Sequence, residues 1–341
     1  MTTKKLVLVS GANGHLGNNL VRLLLRKGYS VRASVRNLNN ITCFEGLDCE
    51  IVQADITDKA SFVRALQDVD TFYAVGAAFK LWAKDPKKEI YDVNMQGTRF
   101  TLEAAAEAGV RRIIYVSSIA ALDYRYLPTK ESNGYNLDRR DSYYNSKNDG
   151  EQLAFQLAKQ FNIDLISVLP GAMIGGEAFL PLNVSYGVLN LIINKKIPLD
   201  TKITLNWVDV KDVAEGCYLA AQKGRPGERY ILANETCMTI TDTTKLAQEL
   251  YPELRLKIPQ SVPKFVLYFM AGLMELLAKL NGNPPILTRK DIAMFSGLQQ
   301  NFDLSKSKNE LGFRPKNNKQ ALKEAFDYLM QHKIPSKTTN Y

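Results

Sequence analysis

The first half of the chain alternates between short apolar runs and longer amphipathic segments. The apolar runs predict β-strands at residues 5–10, 29–36, 50–54, 71–75, 112–117 and 164–169. The amphipathic segments predict helices at residues 16–27, 61–67, 91–109 and 143–161. Strands separated by helices imply right-handed crossovers and a parallel sheet. Because the runs at 6–9 and 113–116 are almost wholly apolar, we expect helices to cover both faces of that sheet.

The pattern loosens after Pro170. A glycine-rich loop is followed by a predicted strand near residues 205–208, a helix at 213–222, a strand at 230–232 and a helix at 241–249. The remainder of the chain is mostly helical in pattern. We therefore predict an α/β fold with a doubly wound parallel sheet of Rossmann type, formed by residues 1–170 and 205–222. Residues 171–204 and 223–341 are expected to form a smaller, mostly helical, discontinuous substrate domain.

Composition narrows the possible function classes. Hydrophobic residues make up 45% of the 341 residues and charged residues 23%, as in folded globular proteins. The four cysteines show no C-x-x-C spacing and the chain has only two histidines, so we expect no metal site. The net charge of +9 is spread over the chain without a dense basic block, so we expect no nucleic-acid partner.

No segment predicts export or a membrane span. The apolar run at 6–9 is too short for a signal peptide. The longest apolar stretch, at 265–280, is interrupted by Gly272, Glu275 and Lys279. Scattered cysteines fit a reducing compartment. We therefore expect a cytoplasmic protein with no transmembrane segment.

A glycine triplet marks the first turn between a predicted strand and a predicted helix. Gly11, Gly14 and Gly17 follow the spacing G-x-x-G-x-x-G. In this context the glycines allow a tight turn, a close approach of the backbone to a pyrophosphate, and close packing of helix on sheet. The backbone N–H groups of His15 and Leu16 would face the phosphates at the helix N-terminus. The motif therefore predicts a dinucleotide site, with the His15 side chain packing in the loop.

The second strand indicates which dinucleotide is bound. NAD sites place an acidic residue about 20 residues beyond the glycines, whereas residues 11–44 contain none. Strand alternation puts Arg32, Ser34 and Arg36 on one side, with Arg36 at the strand's end. A guanidinium there can bind a 2′-phosphate with two hydrogen bonds. We predict NADP(H), the alternative being that Arg36 is only a solvated surface charge.

Tyr143 and Lys147 form a Y-x-x-x-K pair on one face of a predicted helix. An ammonium near a phenol favours the phenolate, so we expect Lys147 to lower the pKa of Tyr143. Such a phenol can donate its proton to a carbonyl oxygen while hydride reaches the carbon. Ser117 and Ser118 end a buried strand 25 residues before Tyr143, where α/β sheets bind ligands. A serine hydroxyl there can bind the substrate oxygen.

With these motifs the chain resembles the extended short-chain dehydrogenases/reductases, in the branch of dihydroflavonol 4-reductase and 3β-hydroxysteroid dehydrogenase-like proteins. The resemblance runs from Leu6 to about Leu329. It implies a catalytic triad of Ser118, Tyr143 and Lys147, with Lys147 also holding the nicotinamide ribose. For the cofactor it implies contacts from the glycine loop with Asn13, from Asp55 and Ile56 to the adenine, and from Ala74, Val75 and Gly76 beside the ribose and pyrophosphate. It also implies cofactor contacts from Asn94 in a helix and from Pro170 to Ile174, which flank the nicotinamide.

Two departures from the family pattern bear on the reaction. Leu122 stands where many epimerases of the family carry a tyrosine, and no Asp-Glu pair follows Ser118 as in its dehydratases. Epimerases and dehydratases recycle a bound cofactor, whereas an NADP preference favours net reduction. We therefore predict an NADPH-dependent reductase of an aldehyde or ketone. The alternatives are a sugar-nucleotide epimerase or dehydratase, and a non-catalytic NADP(H)-binding sensor or structural subunit.

The expected substrate is a small apolar or aromatic carbonyl compound. We expect Phe79, Trp82, Leu122, Met173 and Tyr186 to line its pocket, together with the helix at residues 265–277. The wider stretch at 262–280 has a second interpretation, contact with a membrane or a partner. The family resemblance also implies a possible homodimer through the helices near Tyr91 and Tyr143.

Overall fold

The computed structural model describes residues 5–78, 83–176, 182–281, 285 and 287–332. Strands and helices alternate through its first half. They are β1 (Leu6–Ser10), α1 (His15–Arg26), β2 (Ser30–Val35), β3 (Glu50–Gln53), α2 (Lys59–Ala65), β4 (Thr71–Ala74), α3 (Val93–Glu107), β5 (Arg112–Val116), α4 (Ser142–Phe161) and β6 (Asp164–Pro170).

The second half contains more short strands. Its elements are β7 (Ala172–Ile174), α5 (Val184–Ile193), β8 (Leu199–Asp200), β9 (Thr204–Leu205), β10 (Trp207–Asp209), α6 (Val210–Lys223), β11 (Arg229–Leu232), β12 (Met238–Thr239), α7 (Ile240–Leu250), β13 (Gln260–Ser261), α8 (Lys264–Asn281), α9 (Arg289–Phe295) and α10 (Asn318–His332).

Seven strands form one parallel sheet in the order β11-β6-β5-β4-β1-β2-β3. The order reverses beside β1, where β2 lies on one side and β4 on the other. In doubly wound sheets the crevice at the carboxyl ends of the strands, at this reversal, is the place where ligands bind. The Rossmann-type α/β fold predicted from the sequence is confirmed.

Helices cover both faces of the sheet. On one face Val7 and Val9 of β1 belong to a buried cluster with residues of α1 and α6. On the other face Leu8 and Phe72 pack with residues of α2, α3 and α4. Successive residues of a strand therefore point into two different cores, which explains why these strands read as continuous apolar runs.

After Pro170 the number and pairing of the strands differ from the prediction. The strand expected near 205–208 is two short strands, of which β9 pairs with β12 and β10 pairs with β7. The strand expected at 230–232 is β11, the seventh strand of the central sheet, although the predicted division placed it in the second domain. A separate buried cluster joins α5, α7 and α10 around Tyr186, Trp207 and Phe326.

Candidate active site

The glycine loop has the close contacts that its spacing predicts. Gly11 has φ +59°, and a Cβ there would lie 2.9 Å from Cα of Gly76. A Cβ on Gly17 would overlap the Gly11 carbonyl oxygen and would lie 2.9 Å from Cα of Ala12. Gly14 precedes α1 and offers no side-chain cap to the first-turn N–H groups. The first turn of α1 therefore presents its amides at the switch point of the sheet, which suits a phosphate.

Ser10 connects the glycine loop to the end of β4. Its Oγ accepts hydrogen bonds from the backbone N–H groups of Val75 and Gly76, each at 3.0 Å. Ala74 is the last residue of β4 and is buried. The predicted segment Ala74, Val75 and Gly76 therefore lies directly against the glycine loop. The sequence analysis predicts no role for the Ser10 side chain.

The two arginines of the second strand have different environments. Arg32 donates to Glu50 at 2.7 Å and to the carbonyl oxygens of Ala65 and Gln67, so its guanidinium is held by the protein itself. Arg36 follows β2, is exposed, and its side chain has no hydrogen bond or ion pair to the described residues. Between them, Ser34 is buried and its Oγ has no hydrogen-bond partner among the described residues. Arg36 is thus the arginine that can bind a ligand at the edge of the site.

Three further residues predicted for the cofactor connect neighbouring segments. Asp55 Oδ1 accepts from the N–H and hydroxyl of Thr57, at 2.8 and 2.7 Å, which fixes the turn after β3. Ile56 lies so close to Gly97 of α3 that a Cβ there would be 3.0 Å from its side chain. Asn94 exchanges two hydrogen bonds with the backbone of Ala78, at 2.7 and 2.9 Å. These contacts hold the loop after β4 against α3.

The predicted catalytic residues lie together at the carboxyl end of β5. The Ser118 side chain lies beside the Tyr143 phenol and lowers its pKa. Lys147 is buried; its Nζ donates to the Val116 carbonyl oxygen at 3.1 Å and lies 6.0 Å from the centroid of the Tyr143 ring. Asp141 caps α4 by accepting from the N–H groups of Tyr143 and Tyr144, which fixes the start of this helix.

Burial dominates the acid–base properties of this pair. It raises the pKa of Tyr143 to about 12, and the Ser118 side chain opposes that shift. Burial also lowers the pKa of Lys147 to about 8, against the attraction of Glu151. Desolvation of the phenolate therefore dominates the pKa of Tyr143 in this structure, and the lowering expected from Lys147 stays a prediction. At neutral pH the phenol is protonated and can act as an acid.

A hydrogen-bond chain supports Tyr143 from behind. Ser146 donates from Oγ to the Tyr143 carbonyl oxygen at 2.8 Å and accepts from Asn94 Nδ2 at 2.9 Å. Asn94 therefore joins the catalytic helix to the loop after β4. Sequence reasoning missed Ser146. Its position three residues after Tyr143, on the same helical face, is a weak signal that could have drawn attention to it.

A small cavity lies between the end of β1, the loop after β4, α3 and α4. Its lining includes Ser10, Gly76, Asn94, Ser146 and Lys147. Gly11 and Gly17, which admit no Cβ, follow β1, and the unpaired Ser34 hydroxyl belongs to the residue of β2 that pairs with Ser10. These features fit a dinucleotide site at the strand ends.

His15 links the glycine loop to the segment after β6. Its Nε2 lies 2.6 Å from the Gly175 carbonyl oxygen, so Nε2 carries the proton and Nδ1 accepts from Asn183 Nδ2 at 2.6 Å. Burial lowers the pKa of His15 to about 4, which keeps the imidazole neutral. The side chain therefore packs and connects, in the way that the sequence predicted for a loop residue.

The remaining residues predicted for the cofactor lie around the same crevice. Asn13 donates to the Asn40 carbonyl oxygen at 3.1 Å, and Leu16 is buried beneath the loop. Pro170 ends β6, where it pairs with Leu232 of β11, and Ile174 is fully buried in the cluster of the second half. Residues 170–174 therefore begin at the carboxyl end of a central strand, beside the site.

The predictions for the substrate pocket agree least with the structure. Phe79 and Trp82 lie outside the described residues. Leu122 and Tyr186 are fully buried in core clusters, and the Tyr186 hydroxyl donates to the Ala325 carbonyl oxygen at 2.9 Å. Both were predicted to line the pocket, but neither offers surface to a substrate in this structure, because each packs into a cluster of the protein's own side chains. Met173 is half-buried beside the Asn183 amide.

The described residues contain no candidate metal cluster and no candidate membrane-spanning helix. No group of three or more His, Cys, Asp or Glu side chains in this part of the chain is arranged to hold a metal ion. Within the same described ranges, no helix combines the length and the apolar character needed to cross a bilayer.

Comparison with known proteins identifies the family. Residues 7–233 match the family model described as "NAD dependent epimerase/dehydratase family". The chain belongs to this family. Its members are the extended short-chain dehydrogenases/reductases that the sequence motifs resemble, so that prediction is confirmed.

Three curated relatives illustrate the family's range. A protein named "Putative dihydroflavonol 4-reductase", from Synechocystis sp., is 30% identical over 332 residues, 95% of this chain and 94% of the relative. Sterol demethylase protein B of Methylococcus capsulatus is 31% identical over 335 residues, 95% and 98% of the two chains. Cinnamoyl-CoA reductase CAD2 of Medicago truncatula is 28% identical over 269 residues, 73% and 82%.

Solved structures share the fold over almost the whole chain. The crystal structure of gox2253 superposes with a TM-score of 0.81 at 30% identity, covering 96% of this chain and 99% of the other. Yeast methylglyoxal/isovaleraldehyde reductase Gre2, solved with NADPH, superposes with a TM-score of 0.76 at 22% identity and the same coverage. At that identity the second likeness speaks only for the fold.

Proposed function

We propose that this protein reduces an aldehyde or ketone with NADPH, with Tyr143 as the proton donor. The observation that carries the proposal is the placement of Ser118 beside the Tyr143 phenol, with the buried Lys147 amine 6.0 Å from the centroid of the Tyr143 ring. Ser118 follows β5, Tyr143 and Lys147 lie on α4, and Lys147 lines the same small cavity as Ser10 at the end of β1. The cofactor, when bound, supplies the hydride for the carbonyl carbon. The chain's own residues must bind the carbonyl oxygen and deliver a proton to it.

Each of the three residues has a distinct role in this proposal. Ser118 donates a hydrogen bond to the carbonyl oxygen and holds it near the phenol. Tyr143, whose pKa burial raises to about 12, is protonated at neutral pH and transfers that proton to the oxygen as negative charge develops there. Lys147 binds the ribose hydroxyls as a cation and stabilises the phenolate that remains after the transfer.

The proposed preference for NADPH over NADH is supported by the residues near Arg36. Arg36 is exposed and engages none of the described residues, whereas the neighbouring Arg32 is fully committed to Glu50 and two carbonyl oxygens. No acidic residue occurs at 11–44 to bind a 2′-hydroxyl or to repel a 2′-phosphate. A phosphate at this position gives Arg36 a partner that the described residues do not supply.

The names of two relatives support the substrate class. One is named as a dihydroflavonol 4-reductase and another as a cinnamoyl-CoA reductase, which favours an aromatic carbonyl compound as substrate. The absence of an Asp-Glu pair after Ser118, where Ile119 and Ala120 stand, argues against a dehydratase. A reductase of an apolar or aromatic aldehyde or ketone is therefore the activity that we propose.

A substrate panel tests this function. NADPH oxidation is followed by absorbance with aliphatic and aromatic aldehydes and ketones, for the native protein and for Tyr143→Phe. We expect the substitution to lower kcat by at least about 100-fold while leaving NADPH binding within a few-fold. Tyr144→Phe is the matched control, since it removes the same hydroxyl one residue away, where no lysine follows at i+4. This control should retain most of the turnover.

Three results would reject the proposal. Tight NADPH binding without turnover of any carbonyl substrate would favour a sensor or structural subunit. Conversion of a sugar nucleotide without net NADPH consumption would favour an epimerase. Equal activity of the native protein and Tyr143→Phe would remove Tyr143 from its role as proton donor.

A further inference from the structure

Helix α8 carries a long apolar stripe that no described part of the chain covers. Phe265 and Phe269 are each 74% exposed and Leu280 is 77% exposed. Leu273 and Leu276 between them are 50% and 55% exposed. At 3.6 residues per turn, these five side chains fall within about 80° of the helix circumference. Contiguous exposed apolar surface of this kind marks a contact with a partner or a membrane.

The opposite side of α8 attaches it to the protein. Leu267 and Ala271 are buried and pack against Ile292 of α9, with Leu199 and Val262 at the edge of the same small cluster. Leu267 and Ala271 therefore attach the helix to α9, and the stripe lies on the opposite, outward face of the helix. The pocket role expected for residues 265–277 does not fit Phe265 and Phe269, which face solvent.

The surroundings of the stripe are strongly basic. Residues 255–290 contain six basic residues and one acidic residue, so this short segment contributes more than half of the chain's net charge of +9. Two of the six basic residues are paired, Arg289 with Glu275 at 2.8 Å and Lys290 with Asp141 at 2.6 Å. Lys257 and Lys264 are exposed and precede the stripe along the chain. A partner that covers α8 must therefore be apolar in its middle and negative around it.

We propose that α8 docks in the plane of an anionic phospholipid bilayer, with Phe265, Phe269 and the leucines inserted below the headgroups. A helix with aromatic and leucine side chains on one face and lysines nearby is the type that binds this interface without crossing it. Anionic headgroups supply the negative charge that surrounds an apolar interior. A second copy of the chain fits less well, since two-fold pairing through α8 brings the same basic residues face to face.

The position of α8 gives the docking a structural consequence. Lys290 of α9 donates to Asp141, the cap of the catalytic helix α4, at 2.6 Å. Phe295 of α9 packs on the ring of Tyr144 with centroids 5.2 Å apart. Helix α8 packs on α9, and α9 contacts α4, the helix that carries Tyr143. The proposed bilayer contact is therefore connected to the candidate site through α9. The docking itself does not depend on the reaction proposed above.

Vesicle flotation tests the docking directly. The full chain is mixed with vesicles of phosphatidylcholine alone or with phosphatidylglycerol added, and bound protein is measured after centrifugation. We expect binding to the anionic vesicles and its loss at high salt. The double variant Phe265→Ser/Phe269→Ser should lower the partition coefficient about tenfold for each phenylalanine. Lys257→Gln/Lys264→Gln should lower it about fivefold for each lysine.

The control is Leu137→Ser, which removes an exposed apolar side chain, 64% accessible, that is not part of α8. It should bind vesicles like the native protein. Because the two phenylalanines are exposed, the double variant should keep the native melting temperature, which is measured alongside. Absence of vesicle binding by the native chain would overturn the proposal, as would equal losses in the double variant and in Leu137→Ser. Concentration-dependent dimers that the double variant disperses, without vesicle binding, would assign the stripe to a second copy.

Discussion

Lys147 is a buried amine, and its replacement should stabilise the folded protein while abolishing carbonyl reduction. Its side chain is 6% exposed, and burial lowers its pKa from 10.5 to about 8. One pKa unit corresponds to about 1.4 kcal/mol, so holding the ammonium charged in the folded state near pH 7 costs about 3 kcal/mol. Methionine has a similar length and no charge. It forfeits the hydrogen bond to Val116, worth about 1 kcal/mol, so Lys147→Met should raise the free energy of unfolding by about 2 kcal/mol.

The effect should depend on pH in a defined direction. The pKa of Lys147 is lower in the folded than in the unfolded chain, so between about pH 8 and 10.5 the unfolded chain binds more protons. Across that window the native protein gains stability as pH rises, while the variant does not. The advantage of the variant should therefore be largest near neutral pH and shrink as pH rises. Above about pH 10.5 only the lost hydrogen bond remains, so the native protein should be the more stable by about 1 kcal/mol. Urea unfolding at several pH values measures it.

Lys159→Met provides the matched control for this experiment. Lys159 lies on the same helix but is exposed, so its replacement should change the free energy of unfolding by less than about 0.5 kcal/mol at every pH. In parallel, Lys147→Met should lose nearly all carbonyl reduction. The reasoning is refuted if Lys147→Met is less stable than the native protein near neutral pH, or if the difference stays constant as pH rises.

Three other outcomes are expected. Arg36→Asp should raise the KM for NADPH about 100-fold and leave the KM for NADH within a few-fold, as measured by steady-state kinetics; equal effects on both would remove Arg36 from 2′-phosphate binding. Gly17→Ala places a Cβ against the Gly11 carbonyl oxygen and should destabilise the fold by about 2 kcal/mol in thermal unfolding, whereas Gly272→Ala, whose nearest neighbour lies 3.8 Å away, should be neutral or stabilising. Above about pH 8 the kcat/KM for reduction should fall as Lys147 loses its proton, while Tyr143, with a pKa of about 12, stays protonated; a flat profile to pH 10 would contradict the role of Lys147.

Local sequence patterns predicted the sheet and the glycine loop because both depend on neighbouring residues. Strands buried on two faces must be apolar throughout, and β1 and β5 agree with their predicted bounds to within one residue at each end. Gly11 and Gly17 occupy positions where a Cβ collides with backbone, so their spacing reports the turn directly. The boundary of α3 was less clear, since the predicted helix at 91–109 begins within a wide π-helical turn at Lys87–Asp92.

Properties that arise from distant packing could not be read from the sequence. The pKa of Tyr143 is raised because the whole fold buries the phenol, which a lysine four residues away does not reveal. Leu122 and Tyr186 have the apolar or aromatic character of pocket residues, but core residues have the same character. Strand pairing is equally non-local, so β11 could not be assigned to the central sheet from its four residues.

Deuterium transfer tests the central claim most directly. The native protein is supplied with a carbonyl substrate and NADPH carrying deuterium at the reactive carbon of the nicotinamide, and the product is analysed by mass spectrometry. We predict an alcohol containing one deuterium per NADPH consumed, with Tyr143→Phe slowing its formation at least about 100-fold. An isomerised or dehydrated product that contains no deuterium, formed while NADPH remains unconsumed, would contradict the proposed reduction.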